Sequence, residues 1–384
     1  MKKYIIYLLF FLPFFSSCVS DDCSECADTA YATRIKLQIA WPNNTPNNNS
    51  KADDELKIDN FTLFVFNGDN TINTIKHIES PPANIPYSTS LSMTISSTAT
   101  SIYAIANCAD LLSDSPTSSI GMQVQANMSN LKQYLDNSLT IDYNNANILE
   151  NNHLVHVGYT DIITPDGTNP YNYKATVLLK PVVSKFDIKV TTTATTPADY
   201  NTTIQEIQAF VLNSRSKVKL FPNTSIVSDY IHGAYESFWQ PYGNIAFPFQ
   251  NTNSTSANLI GSVSPNSTSL SLFVPENDIS MAPIGKTSLV VLKVKYKMIS
   301  IEGTEEVFYR FLTVPLNPPT SSNLCNTRGT KYNIEFKLSG KYFGSLSPLS
   351  SMMQPYSPIP TKTPKSLIYV APQDYSNISV TGWR

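Results

Sequence analysis

The sequence predicts an all-β protein built as two tandem β-sandwiches with few short helices. Three observations carry that expectation. Apolar residues recur with period two through most of the chain, the spacing that places alternate side chains on one face of a strand. The periodic segments are short and are separated by turns rich in Asn, Gly, Ser and Pro. No long helical segments alternate with them, which argues against an α/β enzyme fold.

The first series of strands begins at Arg34 to Trp41 (RIKLQIAW), where Ile35, Leu37, Ile39 and Trp41 face one way and Arg34, Lys36 and Gln38 the other. A polar loop, Pro42 to Asp54, follows. Asn60 to Phe66 (NFTLFVF) is apolar on both faces, which predicts a central strand. Asn67-Gly68-Asp69-Asn70 reads as a hairpin turn, because Gly and Asn tolerate positive φ, and Thr71 to Ile78 is the return strand. Leu91 to Ser96 and Ser101 to Asn107 add two more. Asn127 to Leu135 (NMSNLKQYL) places Met128, Leu131, Tyr134 and Leu135 on one helical stripe, with Asn127 or Ser129 as the cap. His153 to Tyr159 and Lys174 to Leu179 return to the sheet before Pro181 breaks the run.

A second series starts at Val182. It comprises Lys185 to Thr192, Gln205 to Leu212, Lys217 to Phe221, Ser269 to Val274, Leu289 to Met298, Val307 to Pro315 and Lys331 to Leu338. Leu367 to Val370 and Ile378 to Val380 close it, while Asn223 to Ser267 reads as irregular connection. The expected division is therefore a signal peptide at 1–17, a tether at 18–30, and β-sandwich domains at 31–180 and 181–384.

The leader sets the compartment. Lys2 and Lys3 precede the apolar run Ile5 to Phe15, which is followed by Ser16, Ser17 and Cys18. The run is shorter than the roughly 20 residues a membrane-spanning helix needs. Ser-Ser-Cys at its end resembles a bacterial lipobox, which implies cleavage before Cys18 and acylation of its sulfur and amine. The alternative is an ordinary secreted protein with a chance cysteine near the cut. Ser20, Asp21 and Asp22 resemble the surface-export signal of lipoproteins from Bacteroidetes-type bacteria, which implies the outer face of the outer membrane; the alternative is a generic polar tether.

Charge and motifs exclude several classes. Only 15% of residues are charged and the net charge is −2, with no basic stripe, which argues against a nucleic-acid partner. Cys23 and Cys26 sit in the tether with no further ligands nearby, so a local disulfide or two unpaired thiols are the open readings, rather than zinc. Cys108 follows an apolar run and reads as a small buried residue. His153 and His156 are three apart, so on one strand they would point to opposite faces and could not share a metal. Asp53-Asp54 and Glu305-Glu306 read as solvated turns. Nucleophile-elbow, P-loop, dinucleotide and zinc-protease motifs are missing, so no catalytic, metal or cofactor residue is assigned.

Several segments together resemble one family, the fimbrial subunits of type V pili of Bacteroidetes-type bacteria. They are the leader from Cys18 to Cys26, Ile58 to Gly68 (IDNFTLFVFNG), Ile102 to Asn107 (IYAIAN) and Lys180 to Val190 (KPVVSKFDIKV). Leu272 to Asn277 (LFVPEN), Arg328 to Gly340 (RGTKYNIEFKLSG) and Val380 to Trp383 complete the set in the same order. The resemblance implies two transthyretin-like β-sandwich domains, export as a lipoprotein, assembly with other fimbrial subunits by strand exchange, and no enzymatic activity. It leaves room for a receptor on a host or bacterial surface.

In stalk subunits of that family a protease removes the first strand, usually after an arginine. Here Arg34 opens the strand rather than follows it, and the next basic residue after the strand is Lys51. That departure favours an anchor or accessory subunit whose strand Ile35, Leu37, Ile39 and Trp41 stays in place. Donation would use the C-terminal region, with Ile378 and Val380. The competing expectations are a polymerising stalk or tip pilin, and a surface glycan-binding lipoprotein using Trp41, Trp239 or Trp383.

Overall fold

The structure, a computed structural model, describes residues 32–40, 57–79, 88–143, 148–150, 152–168, 171–193, 201–212, 214–221, 230–231, 257–263, 270–277, 288–299, 303–315, 326, 328–339 and 379–382. The first half holds β1 (Ala32–Ala40), β2 (Asn60–Asn67), β3 (Ile72–Glu79), β4 (Ser88–Ser96) and β5 (Ala99–Ala106). The helices α1 (Ser119–Ala126) and α2 (Leu131–Asn137) follow, then β6 (Thr140–Asp142), β7 (Leu149–Glu150), β8 (His153–Leu154) and β9 (His156–Thr160). β10 (Thr164–Pro165), β11 (Asn172–Leu178) and β12 (Lys180–Pro181) complete it.

The second half holds β13 (Val183–Thr193), β14 (Asn201–Leu212), β15 (Ser214–Arg215), β16 (Lys217–Lys219), β17 (Tyr230–Ile231) and β18 (Ile260–Val263). β19 (Leu270–Pro275), β20 (Leu289–Ile299), β21 (Glu305–Pro315), β22 (Thr330–Ser339) and β23 (Ser379–Gly382) end the chain's described strands.

Alternation decides the layers. Along β2, Phe61, Leu63 and Val65 enter one core, while Phe64 and Phe66 enter another. Its neighbour β5 does the same: Ile102, Ala104 and Ala106 go one way, Tyr103 and Ile105 the other. The sheet β12-β9-β5-β2-β3 is therefore a central layer, as its two-faced apolar sequence predicts. One face packs on the sheet β10-β11-β1-β4. The other packs on the helices and joins the core of the second half.

The hairpin between β2 and β3 forms as expected. Asn70 adopts φ +68° and its amide donates to the Asn67 carbonyl at 3.0 Å. The Asp69 carboxylate accepts from the amide and hydroxyl of Thr71.

Four expectations need correction. The helix expected at 127–135 is a 3-10 turn, Met128–Asn130, leading into α2, and the unpredicted α1 precedes it. Leu131 and Leu135 are buried as the stripe predicts; Asn127 stands at the N-cap position of the 3-10 turn but makes no side-chain capping bond. The cap is Ser118, at the start of α1, whose hydroxyl accepts from the Gly121 amide at 2.9 Å. The Asp110 carboxylate secures that turn by accepting from the amides of Thr117 and Ser118. A Cβ at Gly121 would come within 2.9 Å of Asp110, Pro116 and Ser118, so the glycine admits the close turn and at the same time hides the helix from a propensity reading.

The stretch 223–267, expected to be irregular, contains β17 and β18; β18 pairs with Phe210 to Ile207 of β14. It is only four residues long and contains Gly261, too little pattern to read. Glu305 and Glu306 open the edge strand β21 instead of a turn, and Glu305 pairs with Lys297 across the ladder at 2.5 Å. Pro181 does not simply break the run: with Lys180 it pairs with His156 and Val157 of β9 before the chain enters β13.

Candidate functional site: the slot of the first strand

β1 is a strand with partners on both sides. Ala32 to Ala40 runs antiparallel to Ser96 to Ser88 of β4, and Arg34 to Ala40 runs parallel to Asn172 to Leu178 of β11. The parallel pairing cannot come from a hairpin; it needs a long connection between the two strands, here the whole stretch from β1 to β11. The amide of Arg34 also donates to the Tyr171 carbonyl at 2.8 Å.

The side chains divide as the alternation predicts. Ile35, Leu37 and Ile39 are each 0% exposed. They meet Leu63, Ile95, Ile102, Val177 and Leu179 in a core made only of residues from the first half. Arg34, Lys36 and Gln38 are exposed on the outer face, where Lys36 pairs with Asp166 at 3.1 Å. Burial of three such chains contributes roughly 5–9 kcal/mol, a large part of the 5–15 kcal/mol that holds a typical domain. The slot between β4 and β11 is thus both polar, in its two rows of backbone groups, and strongly apolar along its floor.

The second half repeats this plan. Its order β23-β22-β13-β19 matches β10-β11-β1-β4, and β21-β20-β14-β18 matches β9-β5-β2-β3. β13 takes the place of β1, antiparallel to β19 and parallel to β22. The difference lies in attachment. β13 is continuous with β12 of the first half, whereas β1 is the first described strand. The terminal strand β23 takes the place of β10: it pairs with Thr330 to Asn333 of β22, as β10 pairs with Tyr173 and Lys174 of β11.

Of the residues predicted for the slot, the structure brings Ile35, Leu37 and Ile39 together. Trp41 lies outside the described residues, as do Cys18, Cys23, Cys26 and Ile378. Val380 lies in β23 with its backbone level with Tyr332. Nothing in the sequence marks β4 and β11 as the slot's walls, since pairing between distant segments leaves no local signal.

A polar network closes the adjoining end of the central sheet. The Asn107 side chain, at φ +56°, accepts from the Asp59 amide and donates to the carbonyls of Lys57 and Leu154. Asp59 meets Lys57 at 3.0 Å and His153 at 2.5 Å. Burial alone would raise its carboxyl, but hydrogen bonds from these two bring it below its ordinary value. His153 and His156 have separate partners, because the second donates from Nδ1 to the Leu154 carbonyl at 2.7 Å. Cys108 is a free, buried thiol whose burial pushes it up to about 12. Among the described residues no group of three His, Cys, Asp or Glu side chains could hold a metal ion. No described helix is long and apolar enough to cross a membrane.

No family model and no curated protein matches the sequence. Solved structures do share the fold. A fimbrilin, FimA, from Porphyromonas gingivalis W83 superposes with a TM-score of 0.54 at 14% identity, over 80% of this chain and 91% of that one. A protein from Parabacteroides distasonis ATCC 8503, provisionally assigned to cell adhesion, gives 0.53 at 13% identity, over 93% and 100%. The chain therefore has the all-β fold found in a fimbrial subunit.

Proposed function

We propose that the chain is a subunit of a cell-surface fimbrium of the type V class, assembled with other fimbrial subunits by strand exchange. In this reading it is exported as a lipoprotein, held at the outer membrane by acylated Cys18, and serves as an anchor or accessory subunit. Its domains are 31–180 and 181–384.

The observation that carries the reading is the filled slot. β1 belongs to the same chain and occupies the central position between β4 and β11, with Ile35, Leu37 and Ile39 fully buried. Without that strand the sheet would have two open edges over an apolar floor. A donated strand would restore both, through main-chain hydrogen bonds and alternate side chains. A chain that keeps its own strand needs no donor there, which suits the end of a fibre. Arg34 supports the same view: its amide is bonded within the ladder, and cleavage after it would leave Ile35 to Ala40 in the slot. Donation then falls to the C-terminal region with Ile378 and Val380.

N-terminal sequencing and mass measurement of the form present in surface fibres test this. The anchor reading expects an acylated chain beginning at Cys18. Recovery of a chain beginning at Ala52 throughout the fibre shaft would overturn it and make the protein a stalk pilin.

A further inference from the structure

Three of the sequence segments singled out above, around KPVV, LFVPEN and RGTKYN, play no part in the slot. In the structure they meet where the two halves join. Val183 is level with Pro275, and the Gly329 amide donates to the Val183 carbonyl at 2.9 Å. Arg328 is buried and uses its whole fork. Its Nε donates to Glu276 Oε2 at 2.8 Å, Nη1 to the Leu220 carbonyl at 2.7 Å, and Nη2 to the Lys219 carbonyl at 2.6 Å.

Those two carbonyls belong to a segment that the second half lends to the first. β16 pairs with β6, setting Lys217, Val218 and Lys219 against Asp142, Ile141 and Thr140. The ladder extends at both ends, from the Leu220 amide to the Leu139 carbonyl and from the Tyr143 amide to the Ser216 carbonyl. Phe221 then stands edge-on to Tyr103 of the central sheet, with ring centroids 5.1 Å apart. A planar guanidinium bonded at three points fixes direction as well as distance, which a single ammonium cannot do.

We propose that this junction is a lock that holds the two halves as one rigid body whichever strand fills the slot, with Arg328 as its positioning residue. The core arrangement supplies the independence. The slot's floor is Leu63 and its neighbours on one face of the central sheet, a cluster confined to the first half. The junction rests on Phe64, Tyr103 and Phe221 on the opposite face, in a cluster shared by both halves. Loosening β1 uncovers the first face and leaves the second packed. The purpose of the lock rests on the fimbrial reading: the slot and the terminal strand β23 stay at a fixed separation along a fibre.

Amide hydrogen exchange on the isolated full-length chain tests the lock. The wild-type amides of Leu220 and Tyr143 should be protected like those of the strand interiors. Arg328→Met should accelerate them about a hundredfold or more, as expected when one partner of a buried ion pair is lost, and leave the β1–β4 amides nearly unchanged. Arg328→Lys should not restore protection. Leu37→Ala supplies the reverse arm, because it keeps Arg328: the β1 amides should speed up while Leu220 and Tyr143 hold. Fast exchange of these two amides in the wild type, or equal acceleration of both regions by Leu37→Ala, would overturn the proposal even if Arg328→Met failed to fold. The measurement needs no fibre, so loss of the lock and loss of the fimbrial reading are separate results.

Discussion

Leu37 and Ala175 stand level in parallel register, and both are buried in the core of the first half. The pair joins the first described strand of the chain to a strand nearly 140 residues later, so the core that β1 covers depends on a segment far away in sequence. Leu37→Ala should lower stability by about 2–5 kcal/mol, through lost burial and the cavity left behind. Lys36→Ala, at the next position but with its side chain mostly exposed beside Asp166, should change it by about 0.5 kcal/mol or less. Urea unfolding of the two variants checks this; equal effects would show that β1 is not seated as described.

His156 makes acid stability readable. It is fully buried, its Nε2 has no partner among the described residues, and burial pulls it down to about 4, against the lift of its bond to the Leu154 carbonyl. The unfolded chain binds this proton near pH 6.5 and the folded chain only near 4, so stability is complete above about pH 6.5 and falls as pH drops towards 4. The loss should reach about 3 kcal/mol. Replacing His156 with Leu should flatten the slope between pH 6.5 and 4, read by thermal unfolding across that range. An unchanged slope would assign the acid sensitivity to carboxylates such as Asp59 and Asp110, both of which lie below their ordinary value.

If Cys18 carries the lipid, as proposed, Cys18→Ala should move the protein from the membrane fraction to a soluble one. Lipid chains there would contribute about 0.8 kcal/mol per buried CH₂, so their loss would be decisive. A variant that still pellets with membranes after a high-salt wash places the anchor elsewhere.

The sequence by itself determined the fold class and the layering. Strict alternation in Arg34 to Trp41 allowed one buried face, and β1 obeys it. Phe and Val on both faces of Asn60 to Phe66 demanded two cores, and β2 serves two. Period two is a local signal, set by the geometry of a single strand, and so it survives in a linear string. Tertiary structure alone decided which strands wall the slot, that β16 crosses to the first half, and that Glu276 and Arg328 face each other 52 positions apart. Pairing between distant segments depends on which surfaces meet when the layers close, and a backbone edge looks the same from sequence whatever partner it takes.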